Sequence, residues 1–184
     1  MLRSHNAYTE DHYAFFVTCS VVDWLPLFKS EPYRNITLDS LRYMISHKPT
    51  ELNAYVLMPT HLHAILWPHR DTRIGDILRD FKRFTSRTIS RLAETLGETE
   101  YLQAFRRARQ SGRAQDSSQY QVWQEGFHPE AIYSVDFAKQ KLEYIHNNPV
   151  RAGLVERPTE WPYSSARDYL LGEESVLPIK LLPL

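Results

Sequence analysis

The stretch LMPTHLHAILWP, Leu57 to Pro68, sets two histidines, His61 and His63, into an apolar run with one leucine between them. Side chains alternate faces along a β-strand, so residues two apart point the same way. Read as a strand, the run stands both imidazoles on one face and turns Leu62 to the other. Pro59-Thr60 breaks the apolar pattern just upstream, and ELNAYVLM before it is another strand-like run, so the two read as a hairpin. Two imidazoles alone are an incomplete metal site, and ordinary residues on a wet sheet face are the commoner source of such a pair.

Outward from the hairpin, the chain switches between periods of two and of three to four. HYAFFVTCSVV, His12 to Val22, is β-branched and aromatic and reads as a strand. Leu38, Leu41 and Ile45 mark a helix from about Tyr33 to His47. IGDILRDFKRFTSRTISRLAETL carries Ile74, Ile77, Leu78, Phe81, Phe84, Ile89, Leu92 and Leu96 on one face of a long amphipathic helix. YQVWQEGF reads as a fourth strand. SVDFAKQKLEYIHN reads as a helix capped by Ser134, ending near Pro149 because the residue before a proline avoids the helical region. The order β-α-β-β-α-β-α makes the chain α+β. Its first six elements match the ferredoxin-like, split βαβ arrangement: an antiparallel sheet with helices on one face, here followed by a C-terminal helix. The 184 residues fit a single domain, 1–184, with a polar, basic stretch at about 97–121 that reads as an arm or insertion. That fold hosts many functions and decides none.

Net charge is zero, with 22 basic and 22 acidic residues, so overall charge names no polyanionic partner. The distribution says more. Between Arg79 and Arg113 nine basic residues meet four acids, and Lys82, Arg83 and Arg87 lie on the polar face of the long helix. Taken by themselves, these are the solvated face of an amphipathic helix. One cysteine, Cys19, allows no internal disulfide and fits a reducing compartment. The start has no apolar leader and no run approaches a membrane span, so a cytoplasmic protein without membrane contact is expected.

A second group of chemical interest is EYIHNNPVRAGLV, Glu143 to Val155. Tyr144 and Asn148, four apart, share a helix face; Asn147 is nearly as close, and His146 points elsewhere. A half-buried tyrosine on an asparagine-rich helix end accounts for the same residues without any chemistry. Standing before Pro149, Asn148 falls at the edge of the last regular turn.

Together and in this order, the MPTHLH hairpin, the DILRDFKRFTS helix, VWQEGF, and YIHNNPVRAGLV followed by WPYSS resemble the REP-associated tyrosine transposases. These belong to the wider HUH single-tyrosine transposase superfamily, and the resemblance runs from about Tyr13 to Tyr169. The family reads Met-Pro-Asn-His-x-His where this chain has Thr60, an exchange expected to alter the turn more than the chemistry. The resemblance implies that His61 and His63 hold a divalent ion, Mg²⁺ or Mn²⁺, with Asn148 as third ligand where related transposases use glutamine. It implies that Tyr144 is the nucleophile, and that Lys82, Arg83, Arg87 and, more weakly, Arg151 contact DNA. The implied activity is that of a metal-dependent endonuclease and strand transferase on single-stranded or hairpin-forming DNA, working through a 5′-phosphotyrosine. No second tyrosine neighbours Tyr144, which favours the single-tyrosine class. Assembly is expected as a monomer or a homodimer that exchanges the tyrosine helix. Trp123 is a candidate for base stacking, although core packing is the commoner role. Two rivals stand beside this reading. One is a nucleic-acid-binding module of the same fold whose active site has lapsed. The other is a metal hydrolase unrelated to DNA, which would ordinarily bring a carboxylate that neither motif contains.

Overall fold

Four strands, β1 (Ala14–Ser20), β2 (Thr50–Leu57), β3 (His61–Pro68) and β4 (Glu130–Ile132), make one sheet in the computed structural model. The structure describes residues 13–112, 118–126 and 128–184. The strand order is β2-β3-β1-β4 and every pairing is antiparallel, which is the split βαβ topology expected from the order of elements. The helices are α1 (Glu31–His47), α2 (Ile74–Leu96), α3 (Thr99–Ser111), α4 (Val135–Arg151) and α5 (Ala166–Leu170).

Strand alternation divides the core in two. Val17, Cys19, Leu62, Ala64 and Leu66 turn to one face, where they meet Leu38, Leu41 and Met44 of α1 and Ile77, Leu78 and Phe81 of α2. Ala14, Phe16, Ile65 and Ile132 turn to the other face and meet Ala138, Leu142 and Ile145 of α4. A bulge in β2 between Leu52 and Ala54 shifts the alternation by one residue, so Leu52 and Tyr55 share the first face and Ala54 and Val56 the second. The open edge of β2 is covered by later chain: Tyr163 and Ser165 bond its backbone, and the Lys180 N–H donates to the Leu52 carbonyl (2.9 Å).

Three expectations need correction. The fourth strand is Glu130–Ile132, not the YQVWQEGF run. That run crosses the end of β1, with one bridge between Val21 and Trp123. Its apolar side chains serve the helical core instead, Trp123 packing on Phe28 and Phe81 with its indole N–H on the Thr85 hydroxyl (2.8 Å). Trp123 is therefore a core residue, and Phe127, like the His12 of the expected first strand, lies outside the described residues. Second, α4 does not stop before Pro149 but runs through it to Arg151. The end closes beyond the proline: Gly153, at φ +68°, donates to the Val150 carbonyl and Leu154 to the Pro149 carbonyl, a left-handed helix stop that needs glycine. Third, the 97–121 stretch contains a helix, α3, whose Phe105 is buried against the α1–α2 core. Its sequence looked irregular because only a narrow apolar stripe touches the body. Arg113 and its neighbours to 117 lie outside the described residues.

Candidate active site

β3 directs His61, His63 and Ile65 to the α4 face of the sheet, and Tyr144 comes down on the same face from α4. The His61 and His63 rings are 4.6 Å apart, and the Tyr144 ring lies 5.2 Å from that of His63. Phe16 on β1 floors the group, stacked on His63 at 5.4 Å and edge-on to Tyr144 at 5.8 Å. Because α4 continues through Pro149, Asn148 stands one helical turn beyond Tyr144 on the same face. Its side chain neighbours His61, where it works against the lowering of that ring's pKa by burial. The two histidines, the tyrosine and the asparagine thus meet in one place, while His146 turns away to a buried bond with the Ser165 hydroxyl (3.0 Å) and Asn147 bonds its own helix.

Both imidazoles are held from behind. The Thr18 hydroxyl pairs with Nδ1 of His63 and the Thr60 hydroxyl with Nδ1 of His61, each at 2.8 Å. Thr18 sits opposite His63 in the β1–β3 register, so sheet pairing supplies that partner. Thr60 does more than shape the turn: it touches the ring of a candidate ligand. With Nδ1 occupied, Nε2 is the atom each ring offers to a ligand. Burial holds His61 below the ordinary histidine range, partly offset by the neighbouring Asn148. His63, 5% exposed, is pushed down to about 3 by burial and by the neighbouring His61 and Lys141. Neutral rings are the form that binds metals. The donor set therefore fits a divalent cation held by His61, His63 and Asn148. Among the described residues no three His, Cys, Asp or Glu side chains cluster to hold an ion.

Tyr144 is partly open to solvent, 37% exposed, and cations flank it. The Arg151 guanidinium is 5.7 Å from its ring. Lys141, one turn earlier, sits over Phe16 and pairs with Glu130 (2.8 Å). Lys141 lies three residues before Tyr144, so helical spacing alone could have found it; Phe16 and Thr18 needed the strand register. Lys82, Arg83 and Arg87 are not at this site. They project from α2, on the opposite face of the sheet, around a hollow of about 480 Å³ that Arg79 and Arg109 also line. There the Lys82 ammonium donates to the carbonyls of Gln124 (3.2 Å) and Gly126 (2.7 Å), while Arg83 and Arg87 are exposed.

Two relatives match the chain by sequence. An Escherichia coli (strain K12) REP-associated tyrosine transposase is 26% identical over 120 residues, 64% of this chain and 55% of its own length. A Haemophilus influenzae protein carrying the same family name is 25% identical over 134 residues, 72% of this chain and 68% of its own. The chain thus spans only about half the length of the E. coli relative. By sequence the chain is similar to REP-associated tyrosine transposases. A solved REP-associated tyrosine transposase bound to a REP hairpin superimposes with a TM-score of 0.61 at 20% identity, over 98% of this chain and 92% of that one. A Deinococcus radiodurans crystal structure assigned as a transposase gives 0.50 at 16% identity, over 80% of this chain and 97% of its own. These two likenesses speak for the fold. No protein-family model matches the chain. No helix among the described residues is long and apolar enough to cross a membrane.

Proposed function

We propose that this relative of the REP-associated tyrosine transposases cleaves and rejoins single-stranded, hairpin-forming DNA, with Tyr144 as nucleophile and His61, His63 and Asn148 as ligands of a divalent ion. It is a DNA-processing enzyme of the transposase kind. One observation carries the reading: Tyr144 meets His63 ring to ring while Asn148, a turn further along α4, neighbours His61. Chance packing of an apolar helix on a sheet has no use for that set of polar groups at a partly open surface.

Tyr144 presents its phenol oxygen to the phosphorus of a phosphodiester bound beside it. The new bond forms from the phenol oxygen to phosphorus, and the bond to the 3′-oxygen breaks. The phenol gives up its proton and the departing 3′-oxygen takes one up, leaving a 5′-phosphotyrosine and a 3′-hydroxyl. A 3′-hydroxyl attacking the phosphotyrosine reverses these steps and joins strands without another energy source. Mg²⁺ or Mn²⁺, when bound, supplies Lewis-acid stabilisation of charge on the scissile phosphate. His61 and His63 stay neutral to receive it, oriented by Thr60 and Thr18. Arg151 and Lys141 add positive charge on the tyrosine side, where a phosphate must sit.

The test is incubation of the protein with hairpin-forming single-stranded DNA and Mn²⁺, followed by denaturing electrophoresis. A covalent protein–DNA band that a chelator abolishes is expected. Hairpin binding with no adduct under any metal would identify a binding module with a lapsed site.

A further inference from the structure

Between β1 and α1 the 3-10 turn Val22–Trp24 holds two non-glycine residues in left-handed backbone, Asp23 at φ 52° and Trp24 at φ 53°. Asp tolerates that conformation, but a bulky aromatic residue such as Trp24 does not favour it, so the surroundings must impose it. They do so from several sides. The Val21 N–H donates to the Thr60 carbonyl (2.9 Å) and the Phe28 N–H to the Pro59 carbonyl (3.0 Å). Both ends of the loop are thereby tied to the turn that launches His61. Arg107 of α3 reaches the Asp23 carboxylate at 3.6 Å.

What this strain holds in place is an indole that stands 56% exposed. Its ring is 5.8 Å from that of His61, nearly perpendicular at 81°. Trp24, His61, His63 and Tyr144 therefore form a chain of neighbouring rings, with the tryptophan at the outer end. The other tryptophans are buried or half-buried. An aromatic side chain gains by leaving water, so backbone strain spent on keeping one in water brings folding no return. It returns something only if a ligand covers the ring.

We propose that Trp24 is a stacking platform for an unpaired nucleobase of the strand whose phosphate enters the Tyr144 site. The inference rests on the DNA-cleaving reading of that site. Every base has a π face, so the platform grips a single strand with little regard to sequence. It also marks the side of the site from which unpaired DNA enters, past the turn at Pro59-Thr60.

The experiment measures affinity for three DNAs: a bare hairpin, the hairpin with an oligothymidylate extension on either end, and the same extension made abasic. Tyr144→Phe serves as the background so that no strand is consumed. Trp24→Ala and Trp24→Leu should each weaken binding of the thymidylate form by about 5- to 150-fold, the range of base–aromatic stacking. Trp24→Phe should restore most of that loss. Affinities for the bare hairpin and the abasic form should not change, which also reports that the variants are folded. Equal affinity of Trp24→Ala and its parent for the thymidylate extension overturns the platform, as does an equal loss on the abasic one. If the unsubstituted chain cleaves DNA and either result is obtained, the platform alone falls; if it binds none of the three DNAs, the DNA reading falls with it.

Discussion

Tyr144 and phenylalanine differ by one oxygen, and the ring contacts to His63 and Phe16 need only the ring. Tyr144→Phe is therefore expected to fold and bind DNA as before and to form no covalent adduct, read on the same denaturing gel. A residual adduct would assign the nucleophile elsewhere. The histidines make a separate statement about pH. His63 is held down to about 3 and His146 to about 4, both chiefly by burial. Below the ordinary value of 6.5 the unfolded chain takes up those protons and the folded chain does not. Their stabilising contribution is thus complete above pH 6.5 and is lost as the pH falls toward 4 for His146 and toward 3 for His63, at about 1.4 kcal/mol per unit for each ring. Urea unfolding between pH 7 and 5, before most carboxylates titrate, should show the decline, and His146→Gln should flatten it. A slope unaltered by that substitution would mean that His146 titrates as an exposed ring does.

At the scale of elements, α4 is the piece that must be held to the sheet if Tyr144 is to meet His63. Beyond its apolar face on Phe16, Ile65 and Val56, the hydroxyl of Ser165 clamps it. Ser165 Oγ accepts the Tyr55 N–H of β2 (3.0 Å) and pairs with Nε2 of His146 on α4 (3.0 Å), all of it buried. Ser165→Ala leaves both partners unsatisfied, so a loss of about 1–3 kcal/mol is expected by urea unfolding. The same variant should reduce adduct yield at limiting Mn²⁺, because the helix carrying Asn148 is less firmly held. Unchanged stability would show that the helix needs no such clamp.

For the whole molecule, the sheet separates two chemistries. Tyr144, its histidines and Arg151 occupy the α4 face; Arg83 and Arg87 occupy the α2 face. DNA that touches both has to pass round an edge of the sheet. Replacing Arg83 and Arg87 by serine should lower DNA affinity and reduce its salt slope by about one for each phosphate that these side chains neutralise. Adduct yield at saturating DNA should hold, since the far face is untouched. Lys82→Ala should act differently, costing about 1 kcal/mol of stability, because its ammonium ties down the Gln124 and Gly126 carbonyls. An undiminished salt slope in the double arginine variant would return both to the solvated face of a helix.

Periodicity alone carried much of this. The α2 apolar stripe predicts Ile74–Leu96, the span observed, and Gly97 at φ +68° stops it. A strand's period of two puts His61 and His63 on one face, and a helix's turn puts Tyr144 near Asn148, because both follow from local backbone sterics. Tertiary structure decided what those faces meet. Register between β1 and β3 sets Thr18 behind His63, and the bulge in β2 sorts its side chains between the two cores. Packing sent Trp123 into the α1–α2 core instead of a strand, and loop anchoring held Trp24 in a backbone its own sequence disfavours. α4 lies across β3 because its apolar side and that face of the sheet bury each other, and such a match is a sum over residues far apart in the chain, which no local pattern contains.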